Sequence, residues 1–78
     1  MTEKTAKKVL SIITEEVDVN FDKLKVIYDE ELDNIIIKYK TEDAEDAHDV
    51  IIEALLDYNF YEADSDISGD KGIIYLEE

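Results

Sequence analysis

Apolar residues recur along this chain at two different spacings, and the switches between them predict its elements. Over residues 3–17, Ala6, Val9, Leu10, Ile13 and Val17 return at steps of mostly three and four, the period of one helix face. Thr2 and Glu3 supply an N-cap and an acidic first turn for that helix. The stretches KLKVIYD (23–29) and NIIIKYK (34–40) change to a period of two. Leu24, Val26 and Tyr28 alternate with Lys23, Lys25 and Ile27, while Ile35, Ile37 and Tyr39 alternate with Ile36, Lys38 and Lys40. The polar residues 30–33 between these stretches predict an antiparallel hairpin. Helical spacing returns over 42–58, with Thr41 as N-cap and Ala44, Ala47, Ile51, Ala54, Leu55 and Tyr58 as the buried stripe. Two more strands are expected at 60–64 and 72–77, joined by a polar loop that contains Gly69.

The order is therefore α-β-β-α-β-β. It predicts an α+β fold, a four-stranded antiparallel sheet with both helices packed on one face. A faint internal similarity points the same way. AKKVLSII (6–13) is like AHDVIIEA (47–54), Asn20-Phe21 is like Asn59-Phe60, and NIII (34–37) is like GIIY (72–75). This divides a single 1–78 domain into two αββ halves, about 2–40 and 41–78, with an offset that drifts from 41 to 38.

Composition adds that the chain should fold. Its apolar fraction of 45% is well above that of a charged disordered tail. With no cysteine there is neither a disulfide nor a thiolate metal site, and no long apolar run suggests a membrane span. A cytoplasmic location is the expectation. Charge changes the picture more. Twenty-two acids against 8 bases give −14, and every base is a lysine. Direct nucleic-acid binding is not expected, because each phosphate contact needs a positive group and arginine, the residue best shaped for phosphate, is absent. Residues 1–40 hold 7 lysines and 9 acids, a net of −2, whereas 41–78 hold 1 lysine and 13 acids, a net of −12. The acidity belongs to the second half.

Within that half, Glu42, Asp46, Asp49, Glu53 and Asp57 step by 4, 3, 4 and 4, so the second helix should carry five carboxylates along one side. They would span about 22 Å at the helical rise of 1.5 Å per residue. No lysine is interleaved to relieve the repulsion between them. Asp64, Asp66 and Asp70 in the following loop would extend this negative surface. That loop, DSDISGDKG (64–72), has acids and glycine where a calcium loop begins. Position 12, however, is Tyr75 in place of the required glutamate, and no exiting helix follows. It is expected to be a hairpin loop with no metal and no cofactor. His48 stands alone among Glu45, Asp46 and Asp49, with no second ligand or nucleophile, so enzymatic activity is not expected. Of the five tyrosines, Tyr61 and Tyr28 are the candidates for an interface. The lysines Lys4, Lys7 and Lys8 at the start of the first helix oppose its dipole. They suggest a meeting with an acidic surface, either the second half of the chain or a neighbouring subunit.

In size, in the charge excess of 41–78 and in the Glu42-to-Asp57 stripe, the chain resembles the small acidic inhibitors encoded by phages, anti-CRISPR and anti-restriction proteins among them. The resemblance implies a DNA mimic that occupies the positive groove of a basic nucleic-acid-binding protein, such as a nuclease, CRISPR effector, polymerase or repair enzyme. The alternative is an acidic interaction module (an antitoxin, an immunity protein or a homodimer) that recognises its partner through tyrosines and strand edges.

Overall fold

The computed structural model describes residues 1–77 and has the predicted element order: α1 (Glu3–Glu16), β1 (Lys23–Asp29), β2 (Asn34–Lys40), α2 (Ala44–Leu56), β3 (Tyr61–Ser68) and β4 (Lys71–Glu77). Each boundary has a local cause. Thr2 caps α1 in a reciprocal box: its hydroxyl accepts the Thr5 N–H at 3.3 Å, and the Thr5 hydroxyl accepts the Thr2 N–H at 3.2 Å. In the first hairpin Asp29 pairs with Asn34, and Asp33 takes the left-handed conformation that closes the turn. The chain leaves α2 through Asn59, also left-handed. The N–H groups of Asn59 and Phe60 return to the carbonyls of Leu56 and Leu55 and satisfy the helix end.

Three boundaries differ from expectation by more than one residue. Helix α2 begins at Ala44, not at residue 42, because Asp43 takes the N-cap and accepts the Asp46 N–H at 3.1 Å. Thr41, the other capping residue in reach, is buried and spent on the sheet margin. Its N–H donates to the Asp70 carbonyl at 2.9 Å and its hydroxyl donates to the Asn20 carbonyl at 3.0 Å. At its other end α2 stops at Leu56. Strand β3 runs on to Ser68, so the expected long loop shrinks to a two-residue turn, Gly69-Asp70, with Gly69 at positive φ.

All strands pair antiparallel in the order β1-β2-β4-β3. Ile35, Ile37 and Tyr39 face the same side as Leu76, Ile74 and Gly72, their partners in register. Both helices lie on that side. Ala6, Val9, Ile13 and Val17 from α1 and its C-cap, with Ala44, Ala47, Ile51 and Leu55 from α2, join them in one buried cluster. Among the described residues, no other helix or strand packs on the opposite face of the sheet. Among the described residues no helix is long and apolar enough to cross a membrane.

The two αββ halves occupy equivalent places: β2 and β4 meet at the centre, β1 and β3 form the edges, and the two helices touch across the top. Burial supports a different alignment of the halves from the one read in the sequence. Ala6, Val9, Ile13 and Val17 match Ala44, Ala47, Ile51 and Leu55, all buried, at an offset of 38, not 41. In the strands, pairing NIII with GIIY would set core-facing Ile35 against outward-facing Ile73. Asn34–Lys40 and Lys71–Glu77 correspond at 37, and a one-residue slip would turn every side chain to the wrong face.

Candidate functional site

The buried stripe of helix α2 fixes what its other side presents. Ala44, Ala47, Ile51 and Leu55 turn inward. At about 100° per residue, Asp46, Asp49 and Glu53 then project from the opposite side, within an arc of about 60°. All three are exposed, as are Glu42 just before the cap and Asp57 at the C-cap. The shorter helix thus carries three of the five carboxylates in helical register, and the other two continue the line from its flanks. Adding Asp43 and Glu45, the segment 42–57 presents seven carboxylates and no lysine or arginine. Asp57 sits where the helix dipole is already negative, and the last turn holds no basic residue to offset it. This arrangement costs stability, and among the described residues no lysine pairs with these acids.

Asp49 has a second engagement. His48 is only about a fifth exposed, and its two ring nitrogens both face carboxylates: Nδ1 lies 3.0 Å from Asp49 Oδ1 and Nε2 lies 2.7 Å from Glu62 Oε1. Glu62 Oε2 in turn accepts the Ser65 hydroxyl at 2.7 Å. Burial works against the charged imidazole, but the hydrogen bonds to Asp49 and Glu62 outweigh it and hold the His48 pKa above 6.5. Glu62 is held below 4.5, first by the Ser65 hydroxyl, which overcomes its own partial burial, and then by His48. The histidine that stands alone in the sequence is therefore a strut between α2 and β3, one that favours the charged imidazole.

The two shifts have opposite signs, which sets a pH window. The His48 contribution is complete below about 6.5 and lost as pH rises through its raised folded value; that of Glu62 is complete above about 4.5 and lost as pH falls through its lowered one. The strut is strongest between those limits. His48→Gln is expected to cost about 1 kcal/mol at pH 5.5 and less at pH 8.5, read from urea midpoints of both proteins at each pH. An equal cost at the two pH values would refute a charged His48.

The remaining candidate residues do not join the helix stripe. Strand register sets Asp64 opposite Tyr75, Asp66 opposite Ile73 and Tyr61 opposite Glu77, all on the sheet face away from the helices. Tyr61 is 45% exposed there. A bulge between Glu62 and Asp64 makes this split, turning Glu62 and Ser65 towards α2 and Asp64 and Asp66 away. Asp64 and Asp66 lie in a regular strand, so they do not form the first turn of a calcium loop. Asp70 sits in the hairpin turn, its carboxylate 3.7 Å from Lys40 Nζ. Tyr28 donates its hydroxyl to Asp33 at 2.9 Å, on the helix side of the sheet. Asp64 and Asp66 therefore belong to a different surface from the acids of 42–57, whereas Glu62 turns towards α2. Lys8, from the misplaced positive start of α1, does reach the second half, but it meets the rings of Tyr58 and Phe60, 6.0 Å from each centroid, and not an acid. Tyr58 donates its hydroxyl to Glu16 and so ties the two helix ends together.

The sheet face away from the helices also reveals a feature that charge counting overlooked. Lys23 is paired with Lys40, Lys25 with Lys38, and Lys40 with Lys71. Five of the eight lysines thus form one block, around a depression of about 400 Å³ floored by the backbone at Tyr39 and Gly72. The signal was present: Lys23, Lys25, Lys38 and Lys40 alternate in two paired strands, which puts them on one face. Only the β2–β4 register adds Lys71. Comparison with protein-family models, with curated proteins and with solved structures returned no match.

Proposed function

We propose that this chain is a non-enzymatic acidic binding protein whose α2 face occupies the basic nucleic-acid-binding groove of a partner protein, in the manner of an anti-CRISPR or anti-restriction DNA mimic. One observation carries the reading: of the seven carboxylates of 42–57, Asp46, Asp49 and Glu53 project from α2 opposite its buried stripe and the others flank them, with no lysine or arginine in the segment and His48 its one basic group. Along α2, Asp46, Asp49 and Glu53 repeat at about 5 Å, somewhat wider than the 3.4 Å per phosphate along one strand of duplex DNA. A nuclease, CRISPR effector, polymerase or repair enzyme offers the complementary groove, and such an interface gains its rate and selectivity from charge.

The test reverses Asp46, Glu53 and Asp57 to lysine together. Asp49 is left intact because it holds His48, so a change in binding is separable from a change in fold. The wild-type chain should capture a nucleic-acid-binding protein from host lysate at 50 mM salt and release it at 500 mM or on addition of duplex DNA. The triple variant, with an unchanged circular dichroism spectrum, should lose at least ~100-fold in affinity for that protein. Capture that survives the reversal and the DNA, but fails on Tyr61→Ala, would replace this reading with the tyrosine-anchored interaction module.

A further inference from the structure

The sheet face that the helices leave bare is patterned in two dimensions. Reading across β1, β2, β4 and β3, its first row is Lys23, Lys40, Lys71 and Ser68, and its second is Lys25, Lys38, Ile73 and Asp66. The third row is Ile27, Ile36, Tyr75 and Asp64. In the last, Asp29 pairs with Asn34 and Glu77 with Tyr61. A lysine corner thus lies diagonally across from an acidic corner of Asp64, Asp66 and Glu77, with isoleucines and Tyr75 between them. Like charges directly opposed in neighbouring strands destabilise a sheet, and three such lysine pairs occur here in a chain of net charge −14. Among the described residues, the sole ion pair made by these five lysines is the one from Lys40 to Asp70. The 22 acids of the chain could have relieved them, yet the fold gathers the lysines together.

We infer that this face is the interface of a two-fold homodimer, and that the occupant of each bare face is a second copy of the chain. The pattern is its own complement. A two-fold axis lying in the face and running diagonally through Ile36 and Ile73 stacks those two isoleucines on their own counterparts. The same rotation carries Lys25, Lys40 and Lys71 of one copy over Asp64 and Asp66 of the other, and Lys38 over Tyr75. Each contact occurs twice, as an isologous interface requires. The strands of the two sheets then cross steeply, as in orthogonal sheet packing. A free polyanion would also suit the lysines, but it would meet the acidic corner and a strongly negative molecule; a second copy satisfies both corners at once.

Area sets the strength. Four strands at 4.8 Å spacing and four rows about 6.8 Å apart give a face of about 19 by 27 Å, of which the steep crossing overlaps roughly 400 Å² per copy. That is about half of what a standard interface buries on each side, so the dimer is weak, with a dissociation constant on the order of 100 µM. It goes beyond the proposed inhibitor function and does not use its surface: both acidic α2 faces stay on the outside.

Sedimentation at about 1 mM and at about 10 µM tests it. The mass of the wild-type chain should rise from 9.0 kDa towards twice that value at the higher concentration. One variant carries K25E, K38E and K40E, and another carries D64K, D66K and E77K. Each alone should remain monomeric at 1 mM, and an equimolar mixture should regain association, because each variant then presents the charge that the other lacks. The second variant is the sharper control, since it lowers the net charge yet must abolish the dimer. A monomeric wild-type chain at 1 mM overturns the inference. So does association that survives either reversal, which would point to strand edges, and so does association lost on reversing Asp46 and Glu53, which would mean head-to-tail docking of α2 on the lysines.

Discussion

Replacing Gly72 by alanine is expected to destabilise the fold by about 3 kcal/mol, at the upper end of what overpacking a core costs. An added Cβ would lie 2.2 Å from Tyr39 Cζ, 2.4 Å from its hydroxyl oxygen and 2.5 Å from Cε1, so it meets the outer half of the ring and not one yielding atom. Tyr39 is held in place. It is 4% exposed, and its hydroxyl donates to the Ala44 carbonyl at 2.6 Å, in the first turn of α2. Burial, with help from the charges of Asp49 and Glu62, raises its pKa to about 12, so the phenol stays protonated and the donor stays available. Moving the ring aside therefore breaks the link between sheet and helix start. Because alanine is otherwise better tolerated than glycine in a strand, by about 0.5–1 kcal/mol, a net loss must be steric. For a chain of this size the melting temperature should fall by roughly 12–24 °C. In a Tyr39→Leu background the same glycine substitution should cost under about 1 kcal/mol, since the obstructing ring is gone. Urea unfolding of the four proteins measures this coupling; equal costs in both backgrounds would mean that the ring is not the obstacle.

The second large effect is expected at Ile37. This side chain is fully buried, and in register it lies between Val26 of β1 and Ile74 of β4, on the helix side of the sheet. Truncation to alanine should cost about 3–4 kcal/mol, from lost burial and an unfilled cavity. A domain of this length is stable by only about 4–12 kcal/mol, so the variant stands near the limit of folding. Ile27 is the matched control: it has the same chemistry, lies one row away and faces the bare side, where its truncation should cost less than about 1 kcal/mol in dilute solution. Urea midpoints for Ile37→Ala and Ile27→Ala that coincide would contradict the assignment of the two faces.

The faces themselves were legible before any coordinates. In 23–29 and 34–40 the period of two names both the residues that turn inward and the lysines that turn out, and in α2 the spacing of Ala44, Ala47, Ile51 and Leu55 leaves Asp46, Asp49 and Glu53 outside. What escaped was of three kinds. Two good N-caps, Thr41 and Asp43, compete two residues apart, and only the tertiary demand on Thr41 decides between them. Strand β3 beyond residue 64 has Ile67 as its sole apolar residue, because an edge strand with one bare face can be polar at most positions. The partition of the acids into two surfaces depends on a bulge near Ala63, which leaves no mark on composition. The acidic face of α2 was therefore readable, but its supposed continuation through Asp64 and Asp66 was not, since it required the sheet register.

The join between the halves at β2 and β4 has a kinetic consequence. Each hairpin closes over a turn of two to four residues and can form within about 1–10 µs, whereas β2 and β4 must find each other across some 35 residues of chain. Until they do, the isoleucine runs 35–37 and 73–74 are unpaired strand edges, the kind of segment that recruits other chains. Lys38, Lys40 and Lys71 flank those runs and act as gatekeepers during that interval. A lysine arrangement that is costly in the finished sheet thus protects the chain while the sheet is being made.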